Sequence, residues 1–181
     1  LHIHSRYSRA TSRELDPQHL ELWGRHKGIE LIGTGDLTHA AWRQELRDML
    51  EPVGNGLYTL REELRLPCRT KNTVQPKFVV TGEISTIYKK NGKTRKVHHV
   101  IILPGLDEAD ELSHRLEAIG NIHSDGRPIL GLDSHDLLEI VLENLDFIDT
   151  KDIFIVVGHA KEMILERFGD RYSYAEQTEQ L

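Results

Sequence analysis

Short apolar runs of strand length alternate along this chain with stretches of helical periodicity, and that alternation constrains the fold more than any other feature. HIH, IELIGTGD, FVVTGEIS and IFIVVGHA read as strands, bounded by glycines or polar turns. Between them, DPQHLELWGRHKG reads as a helix with Asp16 at the N-cap, Pro17 at the first helical position and Gly28 closing it. AAWRQELRDMLEPVGNG reads as a second helix, broken at Pro52 and the glycines after it. STIYKKNGKTRKVHHVIIL reads as a hairpin bending at Asn91-Gly92, a pair suited to a type I′ turn. Asp107 is expected to cap the helix DEADELSHRLEAIG; the loop NIHSDGRPILGLD leads to the helix SHDLLEIVLENL, and KEMILERFG is the last helical stretch. The alternation predicts the α/β class, as an open sheet or a barrel with its functional residues on the loop face. No repeat, low-complexity segment or linker interrupts it, so residues 1–181 read as a single domain.

Composition narrows the function classes. Apolar content of 38%, charged content of 29% and 6 prolines specify a folded globule rather than a disordered chain. The formal net charge of −6 gives no global basic field of the kind that announces nucleic-acid binding. It does not exclude a nuclease, because bound metal ions add local positive charge that the count omits. The single cysteine, Cys68, rules out an internal disulfide and any multi-cysteine zinc site, and suits a reducing cytoplasm. No apolar run approaches the roughly 20 residues of a membrane span, and no signal peptide is visible. The chain opens on Leu1 inside an apolar-His pattern and closes on EQTEQL, so both termini are expected to be truncated. The unusual number is 11 histidines, which directs attention to metals.

Successive side chains of a strand point to opposite faces, so His2 and His4 share one face while Ile3 points the other way. Two imidazoles at that spacing chelate one divalent ion without bending the backbone; the alternative is a pair of polar residues on an exposed face. What accompanies them decides. Asp36 follows LIGTG where a strand ends, with His39 on the same turn. Glu83 follows FVVTG, and His159 follows IFIVVG. In KVHHV, His98 and His99 face opposite sides, so one of them at most enters a given site. Any one of these alone reads as a surface or capping residue, but unrelated polar residues would scatter along the elements instead of gathering at strand ends. Imidazoles mixed with carboxylates, without thiolates, suit Zn²⁺, Mn²⁺ or Fe. A glutamate among several histidines is placed to bridge two ions, as in two-metal phosphoester hydrolysis.

Taken together, LHIHSRYSRATS, GTGDLTH, TGEIS, KVHH and GRPILGLD resemble the polymerase and histidinol phosphatase (PHP) superfamily, and more narrowly its endonuclease Q-like branch of DNA-repair nucleases that nick beside deaminated bases. The resemblance runs from Leu1 to about Leu142. It implies a distorted (βα)7 barrel, here incomplete, with up to three divalent ions on its loop face, zinc first and Mn, Fe or Mg as alternatives. Carried over position by position, it implies metal ligation by His2, His4, Asp36, His39, Glu83, His98 and His159, with catalytic parts for Asp36 and Glu83; Arg127 is added as a catalytic candidate from its own setting, a tight Gly-Pro loop suited to holding a phosphate. After His159 the chain reads AKEMILERFGDRYSYAEQ where relatives carry a Trp- and Pro-rich segment, and the family's last motif, a strand-end Asp followed shortly by His, is not found.

The resemblance implies a metal-dependent phosphodiester hydrolase acting on damaged or deaminated DNA. Its rivals are a small-molecule phosphatase of the histidinol-phosphate type and a catalytically incomplete module of a larger DNA-processing protein. Arg127 has a phosphate-gripping reading and a loop-tying one. Arg6 and Arg9 are read as solvated before they are read as phosphate ligands, and KKNGKTRK as a solvated hairpin tip before a DNA contact.

Overall fold

The computed structural model describes residues 1–69, 74–158 and 161–179, and the chain groups into two compact units, Leu1–Ser134 and His135–Leu181. In the first unit α1 (Pro17–Lys27) begins where Asp16 accepts a hydrogen bond from the His19 N–H and ends at Gly28 in the left-handed region. Strand β1 (Leu31–Gly33) is short, and α2 (Ala40–Met49) follows. β4 (Lys77–Lys90) and β5 (Lys93–Leu103) form a long antiparallel hairpin around Asn91 and Gly92, whose φ values of 53° and 72° are those of a type I′ turn. FVVTGEIS and the start of the hairpin are therefore one continuous strand.

β4 organises the sheet. Its first residues pair parallel with β1 (Leu31↔Lys77 to Gly33↔Val79) and antiparallel with β3 (Leu57–Leu60). Its later residues pair antiparallel with β5 and parallel with β6 (Ile129–Leu130). β2 (Leu50–Gly54) closes the far edge against β3. The sheet is thus mixed, and the described strands are not closed into a barrel.

Two elements differ from the sequence reading. The α2 periodicity does not run to the glycines: the helix stops at Met49 and the chain turns directly into the β2–β3 hairpin around Gly54 and Gly56. Pro52 is tolerated there because β2 is an edge strand, where one missing N–H costs little. In addition, α3 (Leu106–Glu117) starts two residues earlier than expected, with Gly105 at the N-cap; Asp107 lies in the first turn, where its charge still faces the helix's positive end. HIH is not itself a strand, but the Leu1 backbone bonds Leu31 and Gly33 and lays this segment beside β1.

The first core is built from Ile32, Leu37, Trp42, Leu46, Phe78, Ile84, Leu103, Leu112 and Leu116, all fully buried. Buried Arg43 ties α2 to α3, bonding the Asp110 carboxylate and the Ser113 hydroxyl while a further N–H reaches the Leu37 carbonyl. In the second unit, after α4 (Ser134–Glu143), β7 (Phe154–Val157), α5 (Lys161–Phe168) and β8 (Ser173–Glu176) make a parallel strand-helix-strand unit around Leu142, Ile155, Val157 and Phe168. Among the described residues, no helix is long and apolar enough to cross a membrane.

Candidate metal centre

The segments Thr34-Gly35-Asp36 and Thr81-Gly82-Glu83 lie side by side where β1 gives out. The Gly35 N–H donates to Thr81 Oγ1 at 2.9 Å and the Thr81 N–H to Thr34 Oγ1 at 3.1 Å, so two threonine hydroxyls continue the ladder past the last strand pair. The opening segment packs directly on this turn. A Cβ at Gly35, whose φ is +69°, would sit 2.3 Å from the Ile3 carbonyl oxygen, so only glycine admits the His-x-His backbone here. The stacking of these three stretches brings the imidazoles to the carboxylates.

His2, His4 and Glu83 form the tightest group: one ligand atom from each lies within 4.8 Å of the others. His2 Nε2 is 3.3 Å and His4 Nε2 3.7 Å from Glu83 Oε2. The other Glu83 oxygen, Oε1, accepts from His98 Nδ1 at 2.6 Å, and Ser85 Oγ is 3.1 Å from the same nitrogen. Burial pushes the Glu83 carboxyl up, but hydrogen bonds from His98 and His2 and the nearby His98 and His4 rings outweigh it and hold it below the usual carboxylate range.

Asp36 has a different setting. It is fully buried, with a φ of 50°. The Ser5 N–H and hydroxyl donate to its Oδ2 at 2.7 and 2.6 Å and the Ser8 hydroxyl at 2.9 Å. Its Oδ1 lies 3.1 Å from His4 Nδ1. A carboxylate only accepts, so His4 carries a proton on Nδ1, which leaves Nε2, the nitrogen turned toward Glu83, as the atom it can offer to an ion. The structure therefore does not bring Asp36 into the group of three; it places the residue behind His4.

His39 caps α2 and is half-buried, its ring stacked on Tyr7 at 4.4 Å between centroids. Burial first, with Arg43 and His123 adding to it, lowers its pKa against the opposing pull of Asp36 and Asp125, and its buried Nδ1 has no partner among the described residues. A neutral ring with a free nitrogen is what a metal ligand offers. His98 and His99 divide as strand parity requires: His98 meets Glu83, while His99 turns to the Thr86 hydroxyl on the opposite face, where burial and then His98 depress its pKa. His159 lies outside the described residues.

Arg127 donates from Nη2 to the Arg9 carbonyl at 3.3 Å, and the Asp125 carboxylate accepts the Arg127 N–H, which ties two loops together. Arg6 is spent on Glu45 at 2.7 Å and Asp16 at 3.7 Å, inside a cleft of about 350 Å³ also lined by Gln44 and Asp48. That cleft, whose charged lining apart from Arg6 is acidic, is lined by none of the His2–His4–Glu83 group.

Several contributors carry no sequence signal. Ser5 and Ser8 anchor Asp36, and nothing distinguishes them from ordinary loop serines until burial is known. Gly126 is a second case: a Cβ there would lie 2.3 Å from Asp36 Cγ, so the SDGRP loop rests its backbone on that carboxylate.

The fold as a whole is found in solved structures. Endonuclease Q in complex with a 27-mer duplex substrate carrying an abasic lesion superimposes with a TM-score of 0.68 at 28% identity, covering 97% of this chain and 40% of that one. The lesion-specific endonuclease of Pyrococcus furiosus gives 0.67 at 29% identity, with 97% and 40% covered. The chain has an endonuclease Q-like PHP fold. An uncharacterised protein of Methanocaldococcus jannaschii is 32% identical over 142 residues, which is 78% of this chain and 14% of that protein. No protein-family profile matches. The chain therefore spans less than half the length of each of these relatives.

Proposed function

We propose that this chain is the metal-binding part of a DNA-repair endonuclease that hydrolyses a phosphodiester beside a deaminated base. The convergence of His2, His4 and Glu83 from separate stretches of chain carries the reading, within a fold similar to lesion-specific endonucleases. The donor set fits a divalent ion: two imidazoles and a carboxylate within reach of one another, with one imidazole oriented by a buried carboxylate at its Nδ1. Zinc suits it first, with Mn, Fe or Mg as alternatives.

His2, His4 and Glu83 would hold the ion between them; one Glu83 oxygen faces His2 and His4 and the other faces His98. Asp36 acts through His4, fixing its tautomer and angle. His39 and His98 extend the ligand set, and His159 joins it on motif order alone. When bound, the cations acidify water and offset phosphate charge. Arg127 keeps guanidinium N–H groups beyond the one tied to Arg9, and these are the donors assigned to a phosphate oxygen. A distorted (βα)7 barrel, incomplete in this chain, is proposed with the same reading, on the motif order, as is a reducing cytoplasm, on the one unbridged cysteine.

The test is incubation of the Zn²⁺- or Mn²⁺-supplemented chain with a duplex containing one deoxyuridine or deoxyinosine, alongside p-nitrophenyl phosphate. Strand cleavage beside the lesion, lost in Glu83→Gln, is the expected result. Turnover of the monoester with intact DNA moves the assignment to a small-molecule phosphatase. A folded chain that retains no divalent ion and cleaves neither substrate overturns the hydrolase reading and leaves a non-catalytic module.

A further inference from the structure

The β4–β5 hairpin extends beyond the metal centre and ends in a concentrated positive tip. Lys89, Lys90, Lys93, Arg95 and Lys96 cluster around the Asn91-Gly92 bend, while no Asp or Glu occurs from Ile84 to Leu106. All are exposed apart from part-buried Lys90, and none is held in an ion pair among the described residues. Lys90 and Lys93 are directly paired across the ladder, an arrangement that works against the hairpin's own stability. On a chain of net charge −6, such a patch is relieved by a polyanion.

The pairing register aims the patch. Ser85↔His98 and Ile87↔Lys96 put Lys96 on the face that carries Glu83 and His98, and Lys89 falls on that face by alternation along β4. Lys90, Lys93 and Arg95 occupy the opposite face. From Glu83 to Lys89 the strand rises about 20 Å, at roughly 3.3 Å per residue. That span equals about six nucleotides along one DNA strand at roughly 3.4 Å each.

We infer that the hairpin is a docking arm for the DNA backbone, gripping phosphates about four to six nucleotides from the scissile bond through Lys96, Lys89 and the flanking cations of its tip. The identity of the polyanion rests on the nuclease reading above; the arm itself rests on charge and register.

The experiment measures binding without cleavage. Fluorescence anisotropy of a labelled duplex in EDTA, across a salt series, compares the wild-type chain with Lys89→Gln/Lys93→Gln/Lys96→Gln, with circular dichroism confirming the fold of both. The triple variant is expected to bind roughly ten-fold or more weakly at 0.1 M salt, with the log–log salt slope reduced by about 2 to 3. Trimming the duplex to fewer than about four nucleotides on one side of the target is expected to remove the wild-type advantage. Unchanged affinity and slope in the variant, with wild-type DNA binding intact, overturn the arm and leave the nuclease reading standing. Wild-type lesion cleavage with no contribution of the hairpin to binding overturns the arm in the same way. A variant that loses poly-glutamate binding but not DNA binding assigns the tip to an acidic protein and overturns the DNA proposal.

Discussion

Two Thr-Gly-carboxylate segments lie against each other in this protein and end in opposite states. In Thr34-Gly35-Asp36 the chain turns through two left-handed residues, and the short carboxylate tucks back under the His-x-His segment, out of contact with water. In Thr81-Gly82-Glu83 the backbone stays extended inside β4, and the longer side chain projects among imidazoles with its oxygens partly accessible. Gly82 serves this contact, since a Cβ there would lie 2.6 Å from Leu37 Cγ. The same lead-in therefore delivers one carboxylate into the buried scaffold and one to a cluster of imidazoles, and the backbone dihedral makes the difference.

The comparison breaks most visibly at the buried end. Asp36→Ala is expected to cost about 3–5 kcal/mol, because the Ser5 and Ser8 donors and His4 Nδ1 lose their common acceptor at a fully buried site. Urea denaturation of the metal-free chain measures it, and a loss under about 1 kcal/mol would contradict the scaffold assignment. Gly126→Ala presses a methyl group onto the same carboxylate and is expected to cost about 1–3 kcal/mol by the same assay. Ser8→Ala removes one of the donors and is expected to cost about 1–2 kcal/mol.

Glu83→Gln sharpens the contrast from the other side. Its metal-free stability is expected to change by less than about 1 kcal/mol, since the group it leaves behind is reachable by water. Its thermal midpoint is expected to stop responding to added Zn²⁺, while the wild-type midpoint rises with ion concentration as binding to the native state requires. A Zn²⁺ response retained in full by Glu83→Gln would remove the residue from the centre. Smallest of all, His99→Gln is expected to leave Zn²⁺ binding unchanged by calorimetry, because that ring faces Thr86, whereas His98→Gln weakens it.

How much of this was legible in the sequence follows from the range of the interactions involved. Strand parity separated His98 from His99, and Asn91-Gly92 announced its own turn, because both depend only on neighbouring residues. Asp16, Pro17 and Gly28 marked both ends of α1 for the same reason. Pro52 misled, since a proline that breaks a helix and one that sits on an edge strand look identical until the sheet order is known. The motifs named the site's residues but not their ranks: the depth of Asp36 is set by Ser5, Ser8 and the backbone of Gly126, remote in sequence. Cys68 likewise gave no hint of His26, whose Nε2 lies 3.7 Å from its sulfur across the gap between α1 and the segment after β3.

The uninterrupted ladder from Val80 to the Asn91-Gly92 bend has a consequence for tolerance to insertion and deletion. Removing one residue between the bend and His98, with the ladder otherwise kept, would rotate every later β5 side chain to the other surface. His99 would then confront Glu83, and His98 would be driven into the interior beside Thr86. Leu103 would leave the core in the same step, so a single missing residue would cost the site its frame and the sheet part of its packing.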